Sequence, residues 1–96
     1  MINKIDHVNI VVSNLENTTA FFVSLLGFHE TKSGHLEGDW ISKVVGLNNV
    51  KAKYVQLSLK ESETNLELIQ YYSPSDNTPP SENKSNLAGL RHIAFD

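Results

Sequence analysis

The chain contains no cysteine. Disulfide cross-links and thiolate metal sites are therefore excluded, and any transition-metal site has to be built from histidine, carboxylate and water. No apolar run approaches the roughly 18 residues that a bilayer-crossing helix needs. Basic residues are few and scattered: eight Lys and Arg stand against eleven Asp and Glu, for a net charge of −3. Lys51 and Lys53 are the nearest thing to a basic cluster, so a nucleic-acid backbone would be repelled rather than recruited. The opening Met1-Ile2-Asn3-Lys4-Ile5-Asp6 lacks the apolar core of a secretory leader, and a cytoplasmic protein is expected. What these absences leave is a small-molecule ligand, with neither nucleic acid nor membrane as partner.

What is present is ordinary for a globular chain: 40% hydrophobic and 20% charged residues. Ninety-six residues suit one small domain with a modest core. A chain of that size buries about 60 to 65% of the surface it exposes when unfolded.

One phrase occurs twice, Ile5-Asp6-His7-Val8-Asn9-Ile10 and Leu90-Arg91-His92-Ile93-Ala94-Phe95, with the two histidines 85 residues apart. Each copy reads as apolar, charged, His, β-branched, small or polar, apolar, the pattern of a strand with alternate side chains on opposite faces. The second copy is read as the first strand of a second, incomplete unit.

The first copy extends into a strand over Lys4 to Ser13, with Val8, Ile10 and Val12 on one face and Ile5, His7, Asn9 and Val11 on the other. Ser13 to Asn17 offers several helix caps. Thr18, Phe21, Phe22, Leu25 and Leu26 then follow at helical spacing, closed by Gly27 in a left-handed C-cap with Phe28 folding back on the last turn. A short strand is predicted from Phe28 to about Lys32, with a turn at Ser33-Gly34 and loop through Gly38. Residues 39–46 read as a short helix capped by Asp39 and ended by Gly46. Strands are predicted over Ala52 to Leu59 and Leu66 to Tyr72, joined by a polar hairpin connection. Ser73 to Asn86, with three prolines, reads as linker.

The expected architecture is α+β: a βαβββ module over residues 1–73, a linker over 74–88, and one further strand over 89–96. Leu66, Leu68, Ile69, Val55, Leu57 and Leu59 cannot all face the single long helix, and an open apolar face needs cover. A second unit or a second copy would supply it, so a homodimer is expected.

Three residues in the middle of predicted strands stand out: His7, Glu67 and His92. Glu67 is flanked by leucines, where a carboxylate is a poor choice unless its side of the sheet is polar or holds a cation. Two imidazoles and a carboxylate with positions left open suit Zn, Ni, Co, Mn or Fe(II) without choosing among them. A lone strand histidine is commonly just a hydrogen-bonded residue, and it is the repeat that raises this pair above that reading. Arg91 and Lys53 are candidates to attract an anionic substrate, and Trp40, Tyr54, Tyr71 and Tyr72 to line a pocket. Gln56 is read as facing solvent on the side of Ala52 and Tyr54, and His29 and His35 receive no role.

The phrase His7-Val8-Asn9-Ile10-Val11-Val12, the helix Phe21-Phe22-Val23-Ser24-Leu25-Leu26-Gly27-Phe28, the strand Leu66-Glu67-Leu68-Ile69-Gln70-Tyr71 and the phrase Gly89-Leu90-Arg91-His92-Ile93-Ala94-Phe95 resemble the vicinal oxygen chelate superfamily. That group includes glyoxalase I, methylmalonyl-CoA epimerase, extradiol dioxygenases, and bleomycin- and fosfomycin-resistance proteins. The resemblance implies paired βαβββ modules around a metal cleft. It places His7, Glu67 and His92 as ligands of a divalent metal and Glu67 as a catalytic carboxylate. A fourth ligand, usually a glutamate on the last strand of the second module, has no counterpart in this sequence. The implied activity is that of a glyoxalase-like metal-dependent lyase or isomerase. An extradiol-type dioxygenase and a non-catalytic binder like the bleomycin-resistance proteins are the alternatives.

Overall fold

Alternation along β1 (His7–Val11) turns Val8 and Ile10 inward and leaves His7, Asn9 and Val11 exposed. In the computed structural model, which describes residues 1–76, 85, 86, 88–90 and 92–96, this strand is followed by α1 (Leu15–Leu26), β2 (His29–Glu37), α2 (Asp39–Val45), β3 (Lys51–Ser58) and β4 (Asn65–Ser73). The four strands form one sheet in the order β1-β4-β3-β2. β1 runs parallel to β4, whereas β3 is antiparallel to both β4 and β2. The βαβββ module expected from the sequence is thus formed, with α2 as a short insertion between β2 and β3.

Local chemistry sets the ends of α1. Asn14 is its cap, the side-chain Oδ1 accepting from the Asn17 N–H at 2.9 Å. A second N-terminal donor, the Leu15 N–H, is taken by Gln70 Oε1 at 2.8 Å, which ties the helix to β4. Gly27 ends it with φ 77°, the left-handed conformation that glycine adopts without steric cost. α1 meets Val55, Leu57, Leu66 and Leu68 through Leu15, joined by Phe28 just beyond the helix end, with Val8, Ile10, Val12, Phe22 and Leu59 packed around them. Leu57 and Leu68 are completely buried. Removing a leucine side chain from water in this way contributes about 1.5–3 kcal/mol.

The other face of the sheet is covered only in part. α2 lays Ile41 against Val50, Ala52 and Ile69, with Leu36, Tyr54 and Tyr71 at the margin. The Val50 N–H donates to Ser42 Oγ, fixing the chain just after the helix. Five of the six apolar residues in question therefore do face α1, and Ile69 alone turns to α2. Asp39 is the first residue of α2 rather than its cap; Gly38 holds the cap position without a side-chain hydrogen bond. An acidic residue in the first turn still complements the helix dipole.

β2 is longer than the sequence suggested. Its first five residues are all exposed and alternation starts only at Gly34; among the described residues it is an edge strand. Gly34 does not make a turn. It sits mid-strand opposite Tyr54, where a Cβ would come within 3.0 Å of the tyrosine ring. A glycine inside a strand here marks close packing of a neighbouring side chain.

The predicted linker falls largely on residues 77–84 and 87, outside the described residues, as does Arg91. Among the described residues, no strand follows β4. A segment becomes a strand only by pairing with a neighbouring backbone, and none of the described residues beyond β4 pairs with an edge of the sheet. Instead Phe95 reaches back, its ring centroid 5.7 Å from that of Phe28. Among the described residues, no helix is long and apolar enough to cross a membrane.

Candidate functional site

Parallel pairing of β1 with β4 puts Asn9 directly beside Glu67 and His7 beside Asn65. All of these project from the face that α1 does not cover, at the end that α2 leaves open. Glu67 lies between Leu66 and Leu68, which are buried on the α1 side, so the period-2 alternation of the strand forces its carboxylate to the open face. The suspicion raised by a carboxylate between leucines is thereby explained.

Two contacts orient the carboxylate. Asn9 Nδ2 donates to Glu67 Oε1 at 2.9 Å. The other oxygen, Oε2, stands 3.8 Å from His7 Nε2. The imidazole is oriented in turn from its far side, where Nδ1 lies 2.8 Å from Asp6 Oδ2. With a carboxylate as partner, Nδ1 is the donor, which leaves the Nε2 lone pair directed toward Glu67. That hydrogen bond from His7 holds the Asp6 carboxyl below its usual 3.8. Desolvation opposes this, and the charges of Lys4 and Lys32 add smaller effects in the lowering direction.

The arrangement fits two of the donors of a divalent metal. One nitrogen and one carboxylate oxygen form a borderline donor pair suited to zinc and the later first-row ions. Two ligands of one tetrahedral zinc, each at about 2.1 Å, stand roughly 3.4 Å apart, close to the 3.8 Å separating His7 Nε2 from Glu67 Oε2. A carboxylate behind a ligating imidazole is the usual means of fixing its tautomer and raising its basicity.

Of the three ligands predicted from the sequence, the structure brings His7 and Glu67 together and does not add His92. Among the described residues, no group of three His, Asp or Glu side chains is placed to hold a metal ion. His92 is exposed in the terminal segment. Lys53 does not serve the site either, because it shares its side of β3 with Val55 and Leu57, beneath α1. Tyr54 and Tyr71 pack beside the α2 cluster, and Trp40 is exposed. Tyr72 lines a groove of about 530 Å³ between α1 and β2, which contains none of His7, Asn9 and Glu67.

Gln56 is on the site's face, opposite Glu67 in the antiparallel register, with Lys32 opposite Gln56 in turn. Asp6, Asn9 and Lys32 were not singled out from the sequence. Asn9 had a visible signal, lying two residues from His7 on the same strand face. Lys32 had none, since its place depends on an irregularity in β2 between Glu30 and Lys32.

The family model described as the Glyoxalase/Bleomycin resistance protein/Dioxygenase superfamily matches residues 4–96. No curated protein matches the chain. A solved structure, that of a glyoxalase family protein from Bacillus cereus, is similar with a TM-score of 0.82 and 23% identity. The match covers 94% of this chain and 60% of that one, so the chain spans about 60% of its neighbour's length. At this identity the likeness is one of fold.

Proposed function

This chain belongs to the Glyoxalase/Bleomycin resistance protein/Dioxygenase superfamily, and from that premise we propose that it carries half of a glyoxalase-like lyase or isomerase site, in which His7 and Glu67 hold a divalent metal. The observation that supports this reading is the facing pair of His7 Nε2 and Glu67 Oε2, 3.8 Å apart, each group already oriented by a hydrogen bond of its own. Residues 89–96 open a second module on this reading, with His92 as its ligand. The remaining donors come from that module or from a second copy in a homodimer.

A bound divalent ion would supply Lewis acidity that stabilises an oxyanion formed on a small substrate. The chain's own residues do the rest. Asp6 keeps the proton of His7 on Nδ1, and Asn9 holds one oxygen of Glu67 so that the other faces the histidine. The Glu67 carboxylate would also take or hold a substrate proton through the oxygen that does not face His7, the role of a positioned carboxylate in general acid–base catalysis.

The test is metal content. Protein stripped with a chelator and reloaded with Zn, Ni, Co or Mn is measured by elemental analysis as wild type, His7→Ala and Glu67→Gln. Both variants are expected to lose the metal, and unchanged stoichiometry in both would overturn the reading. Oxygen uptake with catechols that depends on Fe(II) would move the activity to the dioxygenase branch. Ligand binding without any metal requirement would move it to the bleomycin-resistance-like binders.

A further inference from the structure

The open face carries one row of four side chains, one from each strand: Asn9, Glu67, Gln56 and Lys32 are successive register partners across β1, β4, β3 and β2. The first two belong to the site already described. The other two are left over from it, and their surroundings are specific. The irregularity in β2 brings Thr31 against Gln56, with Thr31 Oγ1 3.1 Å from Gln56 Oε1 and 3.2 Å from the Gln56 carbonyl oxygen. Anchoring Oε1 to β2 leaves the Gln56 Nε2 donors with no partner among the described residues.

Lys32 forms no ion pair among the described residues. Lys32 and Gln56 are adjacent register partners, so the lysine side chain rises from the same face as the free Gln56 donors. Neighbouring strands are about 4.8 Å apart, which puts the backbones of Lys32 and Glu67 roughly 10 Å from each other. That gap is bounded by an unpaired cation and free amide donors at one end, and by a carboxylate and an imidazole at the other.

The geometry points to an anion subsite made by Lys32 and Gln56, which seats the carboxylate of a small organic acid whose second oxygen faces His7 and Glu67. This assignment rests on the reading of His7 and Glu67 as the reactive end of the site, and it names the substrate class as oxo or hydroxy carboxylic acids. An ammonium and an amide N–H together discriminate strongly between a carboxylate and its ester. The ester keeps the shape and loses the charge that a charge-assisted hydrogen bond requires. Glu67 on the same face repels an anion unless it is held by a cation, so Lys32 also decides which way round the acid lies.

The probes are pyruvate and its uncharged methyl ester, titrated by calorimetry into zinc-loaded and zinc-free wild type, Lys32→Gln, Lys32→Arg and Gln56→Leu. Wild type is expected to bind pyruvate at least about tenfold more tightly than methyl pyruvate. Lys32→Gln and Gln56→Leu should weaken pyruvate about tenfold and leave the ester within twofold, whereas Lys32→Arg retains the preference. Equal affinity for acid and ester in wild type would overturn the assignment, as would pyruvate binding that Lys32→Gln leaves unchanged. A preference for pyruvate that persists without zinc sustains the subsite even where the metal reading fails. Zinc bound normally with no preference for the acid has the opposite meaning.

Discussion

Replacing Asn9 with alanine isolates the contact that holds Glu67. The side chain removed is exposed and does not pack in the core, so the fold should be untouched and only the 2.9 Å bond to Glu67 Oε1 is lost. A hydrogen bond to an ionised group contributes about 1.5–3 kcal/mol when fully protected. The Glu67 side chain is 20% exposed, so water replaces part of the lost bond, and the lower end of that range is appropriate. About 1.4 kcal/mol corresponds to a tenfold weaker metal affinity, at the bottom of the 10- to 100-fold effects typical of groups that orient a ligand. Zinc affinity is measured by competition with a chromogenic chelator in wild type, Asn9→Ala and Glu67→Gln, beside the thermal midpoints of the zinc-free proteins. The expected result is a tenfold loss in Asn9→Ala with an unchanged midpoint. Affinity within twofold of wild type in Asn9→Ala, with Glu67→Gln inactive in binding, would show that the carboxylate orients itself without Asn9.

Two further outcomes test the core and the contact behind His7. Leu57 is completely buried between the sheet and α1, so Leu57→Ala should lower unfolding free energy by about 3 kcal/mol; a loss under about 1 kcal/mol in urea denaturation would mean that the core closes over the gap. The Asp6 carboxyl is held below 3.8 in the folded chain by its bond from His7, so its small contribution to stability is complete above that value and is lost as pH falls through the lower folded-state value. The difference in thermal midpoint between wild type and Asp6→Asn should therefore be present at neutral pH and disappear in strong acid, whereas a difference that grows with acidification would refute the assignment.

Much of this structure was legible in the chain because its signals are local. The apolar spacing of α1 lies beside a capping asparagine and a closing glycine, and each carries its own physical cause. The alternation that placed Val8 and Ile10 on one face and His7 and Asn9 on the other follows from strand geometry alone. What escaped depends on partners distant in sequence. β2 was cut short at Ser33-Gly34 because glycine usually marks a turn; here it marks the approach of Tyr54, a residue on another strand. Lys53 was offered as a substrate anchor on charge, but its side of β3 could be assigned only once Val55 and Leu57 were seen beneath α1. His7 and Glu67 were both named from sequence, whereas Asp6, Asn9 and Lys32 were not, since their roles arise from hydrogen bonds and register that appear only on folding.

The parallel pairing of β1 has a consequence for how the site lives and fails. Asn9 and Glu67 are 58 positions apart along the chain, and β1 is five residues long with a single neighbouring strand among the described residues. Edge segments of this kind open at a lower free energy than the core beneath them. If β1 peels away, His7, Asn9 and Asp6 leave together while the β2-β3-β4 meander stays paired, so function is lost well before the molecule unfolds. Conversely, any ligand that joins His7 to Glu67 fastens the weakest strand to the strongest. Hydrogen-exchange protection at Val8 and Ile10 would then serve as a gauge of occupancy, read from the backbone rather than from the chemistry.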